Sequence, residues 1–192
     1  MMRAAIERDA IPGRKRDSMS KIIVCGLPHI ESSVREHGAT RLVSLLQSEF
    51  HPPRPAALPP EHHLLLDFND IVEEMPEQIV PTVHDIEALL DFSRGWDRDE
   101  ALVIHCFAGV SRSMAGAMIL LAEEAGPGHE MGIARMMRER AAHAQPNRLM
   151  VQLADAHLGL DGRLVAAAEA MGPGDLSQMG RAVELPSRYR PG

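Results

Sequence analysis

Cys106 and Arg112 stand with five residues between them in the run His105-Cys106-Phe107-Ala108-Gly109-Val110-Ser111-Arg112-Ser113. A thiol attacks as its thiolate, so a site that uses one must stabilise negative charge on sulfur. The apolar stretch Ala101 to Ile104 leads into the cysteine as a buried strand, and a long apolar helix opens at Ser113. That order gathers loop N–H groups, the positive end of a helix and a guanidinium around one sulfur. Such a place binds a tetrahedral oxyanion, and the chemistry it implies is attack on phosphorus by sulfur. The Cys–Arg spacing alone is weak, arising by chance in roughly one such chain in five; adding His105, Gly109 and the hydroxyl of Ser113 lowers that to roughly one in ten thousand.

Each residue of the run has a role that its type suits. Cys106 is the expected nucleophile, and the N–H groups of Phe107, Ala108, Gly109, Val110, Ser111 and Arg112 are the expected phosphate cradle. Arg112 can hold two phosphoryl oxygens with its planar fork. Gly109 lets the backbone turn back with its donors inward. Ser113 can donate to the sulfur or serve only as a helix-start serine. His105 is expected to orient the loop through its ring nitrogens rather than to act as a base. An oxygen leaving group needs a proton, so a carboxylic acid must reach the site. Leu66-Asp67-Phe68-Asn69-Asp70-Ile71 offers two. Strand alternation puts Leu64, Leu66, Phe68 and Asp70 on one face and Asp67 on the other.

The elements that must position these groups alternate along the chain. Strands are expected at Lys21 to Gly26, Arg41 to Leu46, His63 to Phe68 and Ala101 to Ile104. Helices are expected at Ile30 to His37, closed by Gly38; at Thr82 to about Ser93, opened by a Thr82–Asp85 cap; and at Ser113 to Ala125. Three more follow, from Glu130 to His143, Asn147 to Leu158 and Arg163 to Met171. This is the pattern of an α/β fold in a single domain, with a largely parallel central sheet flanked by helices. In such sheets ligands bind outside the C-terminal ends of the strands, where Cys106 and the two aspartates lie. The expected division is a disordered lead at 1–20, with Met19 as a candidate start, a domain at 21–171 and a flexible Pro/Gly-rich tail at 172–192. The proline-rich stretch at 51–60 is read as a surface connection, with a substrate-contacting rim as the alternative.

The signature run resembles that of the cysteine-dependent protein tyrosine and dual-specificity phosphatases. Pro146-Asn147 with Gln152-Leu153 is similar to a segment of the dual-specificity enzymes, and residues 21–160 follow that family's order of elements. The resemblance implies a protein tyrosine phosphatase-like fold, a phosphocysteine intermediate and a general acid on a loop upstream of the signature. Asp70 lies 36 residues before Cys106 and Asp67 lies 39. The family's spacing favours Asp70, with Asp67 as the alternative. The Trp-Pro-Asp form of the tyrosine-specific enzymes is absent. By resemblance Asn147 supports the aspartate loop or the phosphate loop; as a plain residue it is a helix cap.

The expected substrate is a phosphorylated protein, on tyrosine or on serine and threonine; the runner-up is a phosphatase of a small metabolite or nucleotide, and the rival outside enzymes is a protein that binds phosphate or phosphopeptides without turnover. Ala108 and Val110 stand at loop positions where the phosphoinositide phosphatases of the resembled superfamily carry lysines, so the resemblance disfavours a highly anionic inositol lipid. The mechanism needs no cofactor, and the histidines, including His62-His63, lack metal-ligand spacing, so no metal is expected. A net charge of −7 gives no basic footprint for nucleic acid and no general attraction to anionic membranes. With 2 cysteines no disulfide framework is expected, which suits a cytoplasmic protein. Cys25 is read as a small buried side chain, with a redox partnership with Cys106 as the alternative. Oligomeric state is open.

Overall fold

In the computed structural model, which describes residues 20–191, five strands form one sheet in the order β3-β2-β4-β1-β5. The strands are β1 (Lys21–Gly26), β2 (Arg41–Leu45), β3 (His63–Leu66), β4 (Leu102–Cys106) and β5 (Val183–Pro186). The first four are mutually parallel, and β5 lies antiparallel on the outer edge of β1. The helices are α1 (Ile30–His37), α2 (Val83–Arg94), α3 (Arg112–Ala125), α4 (Glu130–Arg140), α5 (Arg148–His157) and α6 (Arg163–Ala170). No helix among the described residues is long and apolar enough to cross a membrane.

Period-2 alternation gives the sheet two different faces. Ile22, Val24, Val43, Leu45, Leu102, Ile104 and Cys106 join the main core with α3 and the helices around it. Ile23, Cys25, Leu42 and Val103 point the other way, into a smaller core closed by Ile30 and Val34 of α1. Leu58 of the proline-rich stretch is buried in that smaller core, so this segment covers the α1 face of the sheet. α3 is central, as its apolar sequence predicts: every residue from Arg112 to Ala122 is buried. Gly116 allows the close approach, because a Cβ there would lie 2.4 Å from Cδ1 of Ile104. The cap expected at Thr82 is a full capping box with Asp85.

Two expectations need correction. Composition made 172–192 a flexible tail, but Val183–Pro186 pairs with β1, burying Val183 and Leu185. Backbone pairing and two apolar side chains suffice for a short edge strand, even amid Pro and Gly. α4 stops at Arg140 rather than His143, and Ala141 leaves the helical region. Pro146 disfavours helix just upstream, and Arg138 donates to the carbonyls of Ala141, Ala142 and Ala144, taking up acceptors that a continued helix would have used. Of the expected N-terminal lead, 1–19, with Met19, lies outside the described residues, whereas the Ser20 carbonyl accepts the Ser187 N–H at 2.9 Å.

Candidate active site

The loop between β4 and α3 is held from outside by its carbonyls. The Phe107 carbonyl accepts the Leu27 N–H (3.1 Å), that of Val110 accepts Gln145 N–H (3.0 Å), and that of Ser111 accepts Asn147 N–H (3.3 Å). A trans peptide points its N–H opposite to its C=O, so the donors of Ala108, Ser111 and Arg112 turn into the loop. The Gly109 N–H shows the result directly, lying 3.3 Å from Cys106 Sγ. Gly109 has φ +77°, and a Cβ on it would sit 2.8 Å from the backbone of Cys25 and Gly26, so this turn admits only glycine.

Cys106 ends β4 and is buried, with Ser113 Oγ 3.2 Å from its sulfur. Arg112 is also buried; its Nη1 donates to the Phe68 carbonyl (2.8 Å) and to Gln47 Oε1 (3.3 Å). Its Nε is buried without a hydrogen-bond partner. An unpaired donor on a buried cation is costly unless an acceptor oxygen can reach it. An oxyanion in the loop would satisfy it, together with the inward N–H groups.

Asp70 stands over this loop. Its Oδ1 accepts Ser111 Oγ–H at 2.7 Å and Asn147 Nδ2–H at 2.8 Å, while Oδ2 lies 3.9 Å from Arg112 Nε. Ser111 gives its hydroxyl to Asp70 instead of capping α3, which leaves the first N–H groups of that helix free to face an anion. Asn147 makes two kinds of contact: Oδ1 caps α5 by accepting Met150 N–H at 3.1 Å, and Nδ2 donates to Asp70 Oδ1 and to the Ile71 carbonyl. Asp67 is turned elsewhere, accepting the Ser48 N–H at 2.9 Å.

Comparison of the coordinates with solved structures finds matches at low identity. A Cydia pomonella PTP-2 phosphatase superposes with a TM-score of 0.54 at 19% identity, over 72% of this chain and 90% of the other. A human tyrosine phosphatase-like serine/threonine/tyrosine-interacting protein gives 0.54 at 18%, over 71% and 87%. PTPMT1, in complex with PI(5)P, gives 0.53 at 13%, over 80% and 93%. The chain has the protein tyrosine phosphatase fold. No protein-family model matches the sequence, and no curated protein does either.

Within the phosphatase fold, the structure brings together Cys106, Arg112, Ser113, the loop 107–111, Asp70 and Asn147, and leaves Asp67 bound to another segment. His105 is fully buried, with Nδ1 3.3 Å from the Cys106 carbonyl and Nε2 2.5 Å from Ser44 Oγ. Burial pulls its ring down to about 4, so it is neutral near pH 7 and suited to orienting the loop. Cys25 faces the smaller core, on the side of the sheet away from Cys106, and burial pushes its thiol up to about 11. The geometry therefore favours the packing reading of Cys25.

Several residues at the site escaped the sequence reading. Gln47 meets Arg112, and Phe50 meets the exposed Phe107 edge-on, ring centroids 6.0 Å apart. His143 is buried against the Gly109 backbone, and burial lowers its ring from the ordinary value. Ser44 bridges His105 and His63. For Gln47, Phe50 and Ser44 no local pattern existed, because the folding of separate strands brings them to the loop.

Proposed function

We propose that this chain is a phosphomonoester hydrolase that works through a phosphocysteine intermediate. The observation that carries the reading is the buried Arg112 Nε, which makes no hydrogen bond and has only Asp70 Oδ2 at 3.9 Å, at the end of a loop whose donors turn toward a cysteine sulfur. Phosphoryl oxygens would take the Arg112 fork and the N–H groups of 107–112, placing phosphorus in front of Sγ. The Cys106 thiolate forms the S–P bond as the P–O bond to the leaving group breaks. Asp70 gives that oxygen its proton from Oδ2, the oxygen not engaged by Ser111 and Asn147. Water then attacks the phosphocysteine with Asp70 as base. Phosphate leaves, and Ser113 Oγ–H donates to the departing thiolate.

A phosphorylated protein is the favoured substrate, with tyrosine supported by the rim. Phe107 and Phe50 are exposed apolar rings beside the loop, suited to the face of an aryl phosphate and not to an anionic inositol headgroup. A small phosphomonoester is the runner-up, and binding without turnover is the rival outside enzymes. Hydrolysis of p-nitrophenyl phosphate by the wild type and by Cys106→Ser tests the reading. Wild-type turnover that the variant lacks is expected, because the serine hydroxyl is far less ionised. Equal rates, or phosphate binding with no turnover in either protein, would overturn it.

A further inference from the structure

His105, Ser44 and His63 sit on adjacent strands and on one face of the sheet. Ser44 and His105 are direct partners in the β2–β4 register, and His63 lies on the far side of Ser44, in β3. Ser44 Oγ is 2.5 Å from His105 Nε2 and 2.8 Å from His63 Nε2, and the chain ends with His105 Nδ1 at 3.3 Å from the Cys106 carbonyl. Only one arrangement of protons satisfies all three contacts. A carbonyl can only accept, so His105 carries its proton on Nδ1 and presents a lone pair at Nε2. Ser44 then spends its hydroxyl proton on that lone pair, and His63 must donate Nε2–H to the serine oxygen.

We propose that Ser44 and His63 are positioning residues for the nucleophile, acting through His105 as a one-way hydrogen-bond chain that terminates on the Cys106 carbonyl. The chain fixes the His105 tautomer and holds that carbonyl outward. It also polarises the Cys106–Phe107 peptide, whose N–H is one of the loop donors. A peptide that accepts at its oxygen donates more strongly from its nitrogen, and linked bonds strengthen one another. Burial keeps both rings neutral at pH 7, as the chain requires, each being lowered to about 4. The charged or titratable neighbours are His51 and Arg54 around His63, and Arg112 near His105. All of these raise the cost of protonating the two rings.

This inference rests on Cys106 being the nucleophile, and it is tested by a readout that needs no turnover. The rate of iodoacetamide reaction at Cys106, followed on the modified peptide from pH 4 to 9, gives the pH at which the sulfur becomes reactive. Ser44→Ala and His63→Leu should move that midpoint upward and slow alkylation at pH 6 by about threefold to tenfold, the scale of one neutral hydrogen bond. His63→Gln, whose amide can still donate to Ser44, should stay near the wild type. A purely structural role would lower thermal stability in His63→Leu and His63→Gln alike and leave all midpoints equal. Equal midpoints overturn the proposal, and because His63 is only half-buried its two variants carry the test even if Ser44→Ala misfolds. Shifted midpoints in a protein that hydrolyses no phosphate would sustain the chain and sink the proposed function. Turnover with unshifted midpoints would do the opposite.

Discussion

Asp70 and Asp67 lie three residues apart in the loop that follows β3, and their carboxylates go to different places. Asp70 meets Ser111, Asn147 and, at 3.9 Å, Arg112; Asp67 ties down Ser48 at the start of the turn that carries Phe50. Under the proposed mechanism Asp70→Asn lowers kcat by about a hundredfold or more for poor leaving groups and much less for p-nitrophenolate, which departs without a proton. Asp67→Asn should change kcat only a few-fold with either type of substrate. A leaving-group series on both variants checks the ordering, and a larger leaving-group effect in Asp67→Asn would reassign the acid. Strand alternation along the sequence also separates the two aspartates, but β3 ends at Leu66, so both lie in the loop beyond it and the loop's own contacts set their directions. The nine-residue signature was legible because its strand, turn and helix are contiguous. Ser44 was not, since nothing near it in the chain shows that it lies beside His105.

At the scale of elements, the phosphate loop is braced by the turn after α4, which is placed in turn by the packing of α4, α5 and α6. Asp155 on α5 joins two of these helices. Its carboxylate accepts N–H groups of Gly162 (2.7 Å) and Leu164 (2.8 Å), closing the start of α6. Asp155→Ala would leave the buried Leu164 N–H unpaired and should cost about 2 kcal/mol. Urea denaturation measures that loss, while the rate per folded molecule stays at the wild-type value because Asp155 does not touch the loop. An unchanged urea midpoint would show that water replaces the carboxylate at no cost. The sequence showed α5 and α6 by periodicity, and it showed the main strands as apolar runs. β5 was invisible by those signals: four residues with one exposed glutamate between two apolar side chains look like loop until β1 supplies the partner. The end of α4 was overestimated because Arg138, which collects the carbonyls beyond Arg140, reads locally as an ordinary helical arginine.

Across the whole molecule the two faces of the sheet divide the labour. One carries the sulfur and the main core, and the other carries the small core with His105, Ser44 and His63 among its residues. Burying neutral histidines there couples folding to pH with a definite sign. His105 titrates at about 4 in the folded protein against an ordinary value near 6.5, so between these values the unfolded chain binds the proton first. The stabilisation is fully present above pH 6.5 and is lost as pH falls through about 4. For His105 the loss between pH 7 and pH 5 comes to about 2 kcal/mol. His63 and His143 are lowered by burial too and act in the same direction, His63 with less weight because it is half-buried. Glu130 and Glu184 are also held below the ordinary carboxylate value, but their contribution falls away at lower pH, so a window above pH 5 isolates the histidines. Urea midpoints should therefore fall steadily from pH 7 to pH 5, and His105→Gln should flatten that slope while lowering stability at pH 7. Midpoints that stay level over the window in the wild type would mean that the folded protein accommodates the charged ring, and the neutral chain from His63 to the Cys106 carbonyl would lose its thermodynamic support.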